Sequence, residues 1–176
     1  MVWTSLLNSP QPTAAGTALA NSTTLTDISV APQFTLPANF LQAGSALKFS
    51  AWGVLSTTAT PTILLGIYYG GVAGVALAAT VATTTGSGVT NVPWRLELDT
   101  DVWTTGTAGT ANSQGLWMLG TSVSAATAAP LPQVAQTTVT IDTTAAKTLT
   151  VGAQWSAASA SNTCTLRGFK IWSDGI

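Results

Sequence analysis

The chain has 176 residues, with five Lys or Arg, six Asp or Glu, no His and a formal net charge of −1. Chemistry near neutral pH draws on His, Cys, Lys or paired carboxylates, so this composition speaks against an enzyme. A balance so close to zero also speaks against a nucleic-acid partner held by basic phosphate contacts.

Residues 1–22 read as an extended N-terminal arm. They hold a small apolar knot (Trp3, Leu6 and Leu7), then Pro10, Pro12 and a run of Ala, Thr and Gly. Such a segment either docks onto a neighbour or frays. From Thr23 to Ile176 the pattern is that of strands in one domain. Ala46–Ser56 alternates, with Leu47, Phe49 and Ala51 on one side and Lys48, Ser50 and Trp52 on the other. Thr62–Tyr69 alternates next, and the polar link Ser56–Pro61 between these runs suits a hairpin. Val75–Val81 fits either a short strand or one or two helical turns. Trp94–Trp103 is the clearest strand: Trp94, Leu96, Leu98 and Val102 share one face, and Arg95, Glu97, Asp99 and Asp101 the other.

Further along, Gln114–Val123 sets Leu116 and Met118 opposite Trp117 and Leu119, with the tryptophan on the side away from the apparent core. Thr137–Asp142 and Thr148–Trp155 continue the alternation, and Asp142–Thr144 reads as a turn held by its own side chains. Thr163–Trp172 slips phase at Gly168, where a bulge accounts for the shift. Ser156–Asn162 reads as a hairpin loop, and Gly86-Ser87-Gly88 as a loop without the following Lys and helix of a phosphate site. The total is about eight or nine strands and no convincing helix, which predicts an all-β antiparallel sandwich.

Ile63 to Ala82 is uncharged over the length of a bilayer span and holds Gly66, Gly70 and Gly74 at four-residue spacing. Tyr68, Tyr69 and the Gly70-Gly71 pair within it, and the lack of a basic flank, argue against a membrane helix. The single Cys, Cys164, has no partner for a disulfide and reads as a small buried apolar group. Lys48, Arg95, Lys147, Arg167 and Lys170 form no basic run. With so few charges to keep copies apart, the chain reads as one that packs against other proteins.

Leu36-Pro37-Ala38-Asn39-Phe40-Leu41 leads through Gly44 to Ala51-Trp52-Gly53, then Ser56-Thr57-Thr58, Pro61-Thr62 and Gly70-Gly71. Thr138–Thr144 and Gln154–Thr163 follow later in the chain. These passages, over residues 36–71 and 137–172, resemble a module of virion structural proteins of tailed bacteriophages. The middle of the chain matches only at Trp94 and Leu96-Glu97. The resemblance implies a jelly-roll-like sandwich with a non-enzymatic role in capsid decoration, head fibres or tail appendages, often as trimers. It supplies no binding motif to carry over by residue. A chain that begins at Met1 and stops just past its last strand then fits a standalone decoration or head-fibre subunit better than a segment of a long fibre. The partners implied are further copies of the chain and a major capsid or other virion protein. The place implied is the capsid exterior, after synthesis in the host cytoplasm. A minor tail component and a glycan-binding surface module are the alternatives.

Two residue sets invite chemistry. Glu97, Asp99 and Asp101 lie two residues apart on a strand, so neighbouring carboxylates sit about 6.5–7 Å apart on one face. That spacing suits an inverting glycosidase or a Ca²⁺ ion. It suits equally a solvated outer strand, which is the preferred reading, so no catalytic, metal or cofactor residue is assigned. Trp52, Trp103 and Trp117 alternate away from the core side of their strands. They fit subunit contacts, where tryptophan is enriched, more readily than sugar stacking. With Trp3, Leu6 and Leu7 of the arm they form the expected interface set. Trp94, Trp155 and Trp172 read as core or rim packing.

Overall fold

The computed structural model describes residues 4–8, 16, 18–29, 33–122, 124–133 and 138–174, and every regular element among them is a strand. In chain order these are β1 (Thr4–Asn8), β2 (Leu19–Ala20), β3 (Thr26–Asp27), β4 (Phe34–Leu36), β5 (Ala46–Ser56), β6 (Thr62–Tyr69) and β7 (Val75–Ala79). They continue with β8 (Thr83–Thr84), β9 (Val92–Thr104), β10 (Gly109–Gly120), β11 (Ala126–Leu131), β12 (Val139–Ile141), β13 (Lys147–Trp155) and β14 (Thr163–Asp174).

Two antiparallel sheets pack face to face. The larger, of eight strands, runs β1-β14-β5-β9-β10-β11, with β2 also on β14 and β12 also on β10. The smaller, of six strands, runs β3-β13-β6-β7, with β4 also on β13 and β8 also on β6. Both sheets feed one apolar cluster, in which Phe49, Trp94, Leu96 and Leu166 of the larger meet Leu65, Ile67, Val151 and Trp155 of the smaller. Strict alternation produces this. In β9 every second residue from Val92 to Val102 is buried, Thr100 included, and the residues between face water. Thr100 is tolerated inside because its hydroxyl pairs with that of Ser113 at 2.8 Å.

Treating β1 with β2, β3 with β4, and β7 with β8 as interrupted strands along one neighbour each, the winding is that of a jelly roll. The path goes larger, smaller, larger, smaller and, after the β6–β7 hairpin, larger, smaller, larger. β10, β11 and β12 extend the larger sheet beyond β9. This winding corrects two expected hairpins. The links 56–61 and 156–162 each carry the chain from one sheet to the other, because β5 and β14 lie in the larger sheet and β6 and β13 in the smaller. Both links sit at one end of the sandwich, where the Thr62 N–H donates to Ser156 Oγ at 2.9 Å.

Several local expectations meet the structure directly. Val75–Ala79 is a strand, so Ile63–Ala82 begins as the β6–β7 hairpin, turning at Gly70 and Gly71 with φ of +90° and +77°. No helix among the described residues is long and apolar enough to cross a membrane. The bulge near Gly168 is present: Leu166 pairs with Gly53 and Gly168 with Trp52, leaving Arg167 unpaired. Asp142 Oδ1 accepts from the Thr144 N–H at 3.0 Å and from its hydroxyl at 2.6 Å, closing the turn. These bonds, with Lys147 at 3.3 Å, hold the Asp142 carboxyl below its ordinary range. The Gly86–Gly88 segment is an irregular loop with a turn at its end.

Within residues 1–22, expected to form an arm, the described pieces run along the last strand. β1 lies along Ile171–Asp174 and β2 along Thr163–Cys164, with the Gly16 N–H donating to Leu166 O between them at 3.0 Å. These pieces form the edge of the chain's own larger sheet, and Leu19 is buried in the core.

Aromatic rings lie over glycines on both sheets. A Cβ at Gly168 would meet the Trp52 ring at 2.1 Å, one at Gly152 the Tyr68 ring at 2.7 Å, and one at Gly53 the Trp94 ring at 2.6 Å. Each ring covers backbone that a side chain would otherwise shield.

Candidate functional site

The outer face of the larger sheet holds most of the distinctive surface chemistry, and strand register builds it in rows. One row runs from Trp172 of β14 through Lys48 of β5 and Asp99 of β9 to Gln114 of β10. The next runs Lys170, Ser50, Glu97, Leu116 and Pro130, and the third Gly168, Trp52, Arg95, Met118 and Ala128. Polar side chains dominate the β14–β5–β9 part. Lys48 Nζ lies 2.6 Å from Asp174 Oδ2, and this contact raises the ammonium pKa, with Asp99 and Asp101 adding smaller attractions. Glu97 accepts from Ser50 Oγ at 2.9 Å and pairs with Arg95. The β10–β11 part is apolar: Leu116 is 63% and Met118 39% exposed, with exposed Ala128 and Pro130 opposite them.

The sequence-derived candidates scatter across this frame. Trp3 lies outside the described residues, as do the side-chain surroundings of Leu6. Leu7 is half-buried against the chain's own core. Trp52 is half-buried, lying over Gly168 with Lys170 Nζ 5.6 Å from its ring centroid, a cation–π contact. Trp103 is 56% exposed. It is the extra residue of a bulge, because Val102 pairs with Ala111 and Thr104 with Thr110.

Trp117 is a correction. It is 2% exposed and belongs to the core, so its side chain can reach neither a subunit nor a sugar. The physical reason is register: Trp117 stands opposite Leu96, on the inner face of β9. Leu116 and Met118 therefore point outward, and sequence reading missed them. The signal was available further upstream, since Asn112 and Gln114 share their phase and mark that side of β10 as wet.

Glu97, Asp99 and Asp101 occupy the outer face of a central strand, flanked by β5 and β10, and not an edge. Among the described residues no group of three or more acidic, His or Cys side chains is arranged to hold a metal ion. Cys164 is fully buried, and burial pushes its thiol pKa up. Tyr69 donates to the Asp142 carbonyl at 3.0 Å, and burial raises its pKa to about 12, with Asp142 adding to the shift. Both groups are neutral at ordinary pH. The face is chemically suited to contact and recognition through rings, methyl groups and fixed charges.

No protein-family model matches the chain. No curated protein matches it either. Among solved structures, a chain of infectious bursal disease virus, Gx strain, overlaps 99% of this chain at a TM-score of 0.34 and 10% sequence identity. This chain spans about a third of that one, 32% of its length. An overlap of that quality carries no argument about function.

Proposed function

We propose that this chain is a non-enzymatic virion structural protein, a capsid decoration or head-fibre subunit that binds neighbouring virion proteins on the capsid exterior. The observation that carries the reading is the pair Leu116 and Met118, exposed side by side on β10 and continued by Ala128 and Pro130 on β11. Large apolar side chains grouped on the face of a rigid sheet gain by being covered, and contact between protein surfaces is the ordinary way to cover them. The composition supports the same reading. Few charges need be stripped of water when such a face docks, which removes a common obstacle to association. The jelly roll fits what the resemblance to tailed-phage virion proteins implies. A homotrimer, seated on a major capsid or other virion protein, is the assembly proposed.

Trp103, held out at the bulge near the end of β9, adds a second apolar contact. Such contacts typically bury about 800 Å² per partner, and repetition over a shell multiplies weak individual contacts. Copy number in purified particles tests the reading. A decoration protein is present in many copies and on the shell; a minor tail component is present in few and leaves with the tail when heads and tails are separated. Absence from the particle would overturn both.

A further inference from the structure

We propose that the β14–β5–β9 part of the same face is a binding site for a neutral saccharide, centred on Trp172, Lys48 and Asp99. A depression of about 310 Å³ lies there, lined by Lys48, Phe49, Glu97, Leu98, Asp99 and Trp172. That volume is at the small end of the range of about 300–1,000 Å³ typical of ligand sites. Asp99 is also the wall of a second depression, of about 480 Å³, that continues over β10 to Pro130, Leu131 and Pro132. Trp172, Lys48, Asp99 and Gln114 stand on one cross-strand row, so ring, amine, carboxylate and amide follow one another at strand spacing, roughly 14 Å from end to end.

A pyranose ring offers C–H groups on its faces and hydroxyls around its rim. The half-buried Trp172 supplies an aromatic surface for the first. Asp99 supplies an acceptor, and Gln114 both donors and an acceptor, for the second. Neither Asp99 nor Gln114 makes a side-chain hydrogen bond among the described residues, so both remain open to a ligand. Charge narrows the class. Asp174, Asp99 and Asp101 all act on the single ammonium of Lys48, so carboxylates outnumber the cation around this row. A sialylated, sulfated or phosphorylated ligand would be repelled there. A protein partner would bury the carboxylate at a cost, whereas sugar hydroxyls can donate to it.

The site is a property of the free protein; its core at Trp172, Lys48 and Asp99 excludes Leu116 and Met118, although Leu116 lines the second depression beside Gln114. The test is an array of neutral hexose and N-acetylhexosamine oligosaccharides beside sialylated and sulfated ones, followed by calorimetric titration of the best neutral hit. Binding to a neutral oligosaccharide is expected, weakened roughly tenfold or more by Asp99→Ala and by Trp172→Ala, and unchanged by Trp103→Ala. Asp99 is exposed and bonded to nothing among the described residues, so its variant keeps the test decisive if Trp172→Ala fails to fold. No binding to any neutral glycan, a preference for acidic ones, or unchanged affinity in Asp99→Ala would overturn the site. Full particle occupancy by the folded chain carrying Leu116→Lys and Met118→Lys, with sugar binding intact, would sink the docking reading alone.

Discussion

At the scale of single residues, the tryptophans divide by what their rings touch. Trp94, Trp117 and Trp155 are buried and fill the core, whereas Trp103 stands in water on its bulge. Trp117→Ala should therefore cost about 3–5 kcal/mol of stability, as large-to-small core changes do. Trp103→Ala should stay within about 0.5 kcal/mol. Denaturant unfolding of the isolated protein measures both, and equal costs would contradict the assignment. The ionisable interior makes a second prediction. Tyr69 ionises at about 12 when folded, against about 10 in an unfolded chain. Because the folded value is raised, this contribution is whole below about pH 10 and is lost as the pH climbs towards 12. The buried Cys164 thiol acts in the same direction from about pH 8.5, where an unfolded thiol ionises. The thermal midpoint should hold level from neutral pH to that point and then decline, and Cys164 should resist thiol reagents at pH 8 until the protein unfolds. A rising midpoint or prompt labelling would contradict the burial of these groups.

At the scale of elements, the two passages on which the proposed virion resemblance rests turn out to be partners. β5 pairs with β14 along its whole length and β6 with β13, so residues 36–71 and 137–172 together build the centre of the sandwich. Their joint presence has a structural cause although some 65 residues separate them. The N-terminal segment yields the element-scale prediction. β1 covers the edge of β14, so removing residues 1–8 uncovers a row of unpaired backbone groups. The isolated protein should melt about 2–8 °C lower and self-associate more. An unchanged midpoint would mean that β1 does its work elsewhere, on a neighbouring copy. The long strands were legible because period-two alternation is a local signal: Ala46–Ser56 and Thr62–Tyr69 have the observed bounds. The short edge strands β2, β3, β4 and β8 were not, because two or three residues hold no period and pairing alone defines them. Sheet membership was also hidden. Nothing in Ser56–Pro61 or Ser156–Asn162 distinguishes a turn back from a crossing, which long-range pairing decides. The outward Leu116 and Met118 were masked by the apolar residues on both sides of β10.

At the scale of the whole molecule, a rigid jelly roll carries a divided outer face: apolar over β10 and β11, aromatic and charged over β14, β5 and β9. The division would give one sheet room for both the proposed protein neighbour and the proposed saccharide. It also places the adhesive side chains on a strand fixed by pairs on both flanks, so docking costs little ordering of the backbone. Both outward side chains can be changed without touching the core, since Trp117 and Leu119 face the other way. The most direct test is to count copies of the doubly substituted chain, Leu116→Lys with Met118→Lys, on purified particles beside the unsubstituted chain, after its unfolding midpoint shows the fold is kept. Occupancy should fall at least roughly tenfold, because like charges would then have to be buried on docking. Full occupancy by the folded variant would contradict the claim that this face joins the protein to its neighbours.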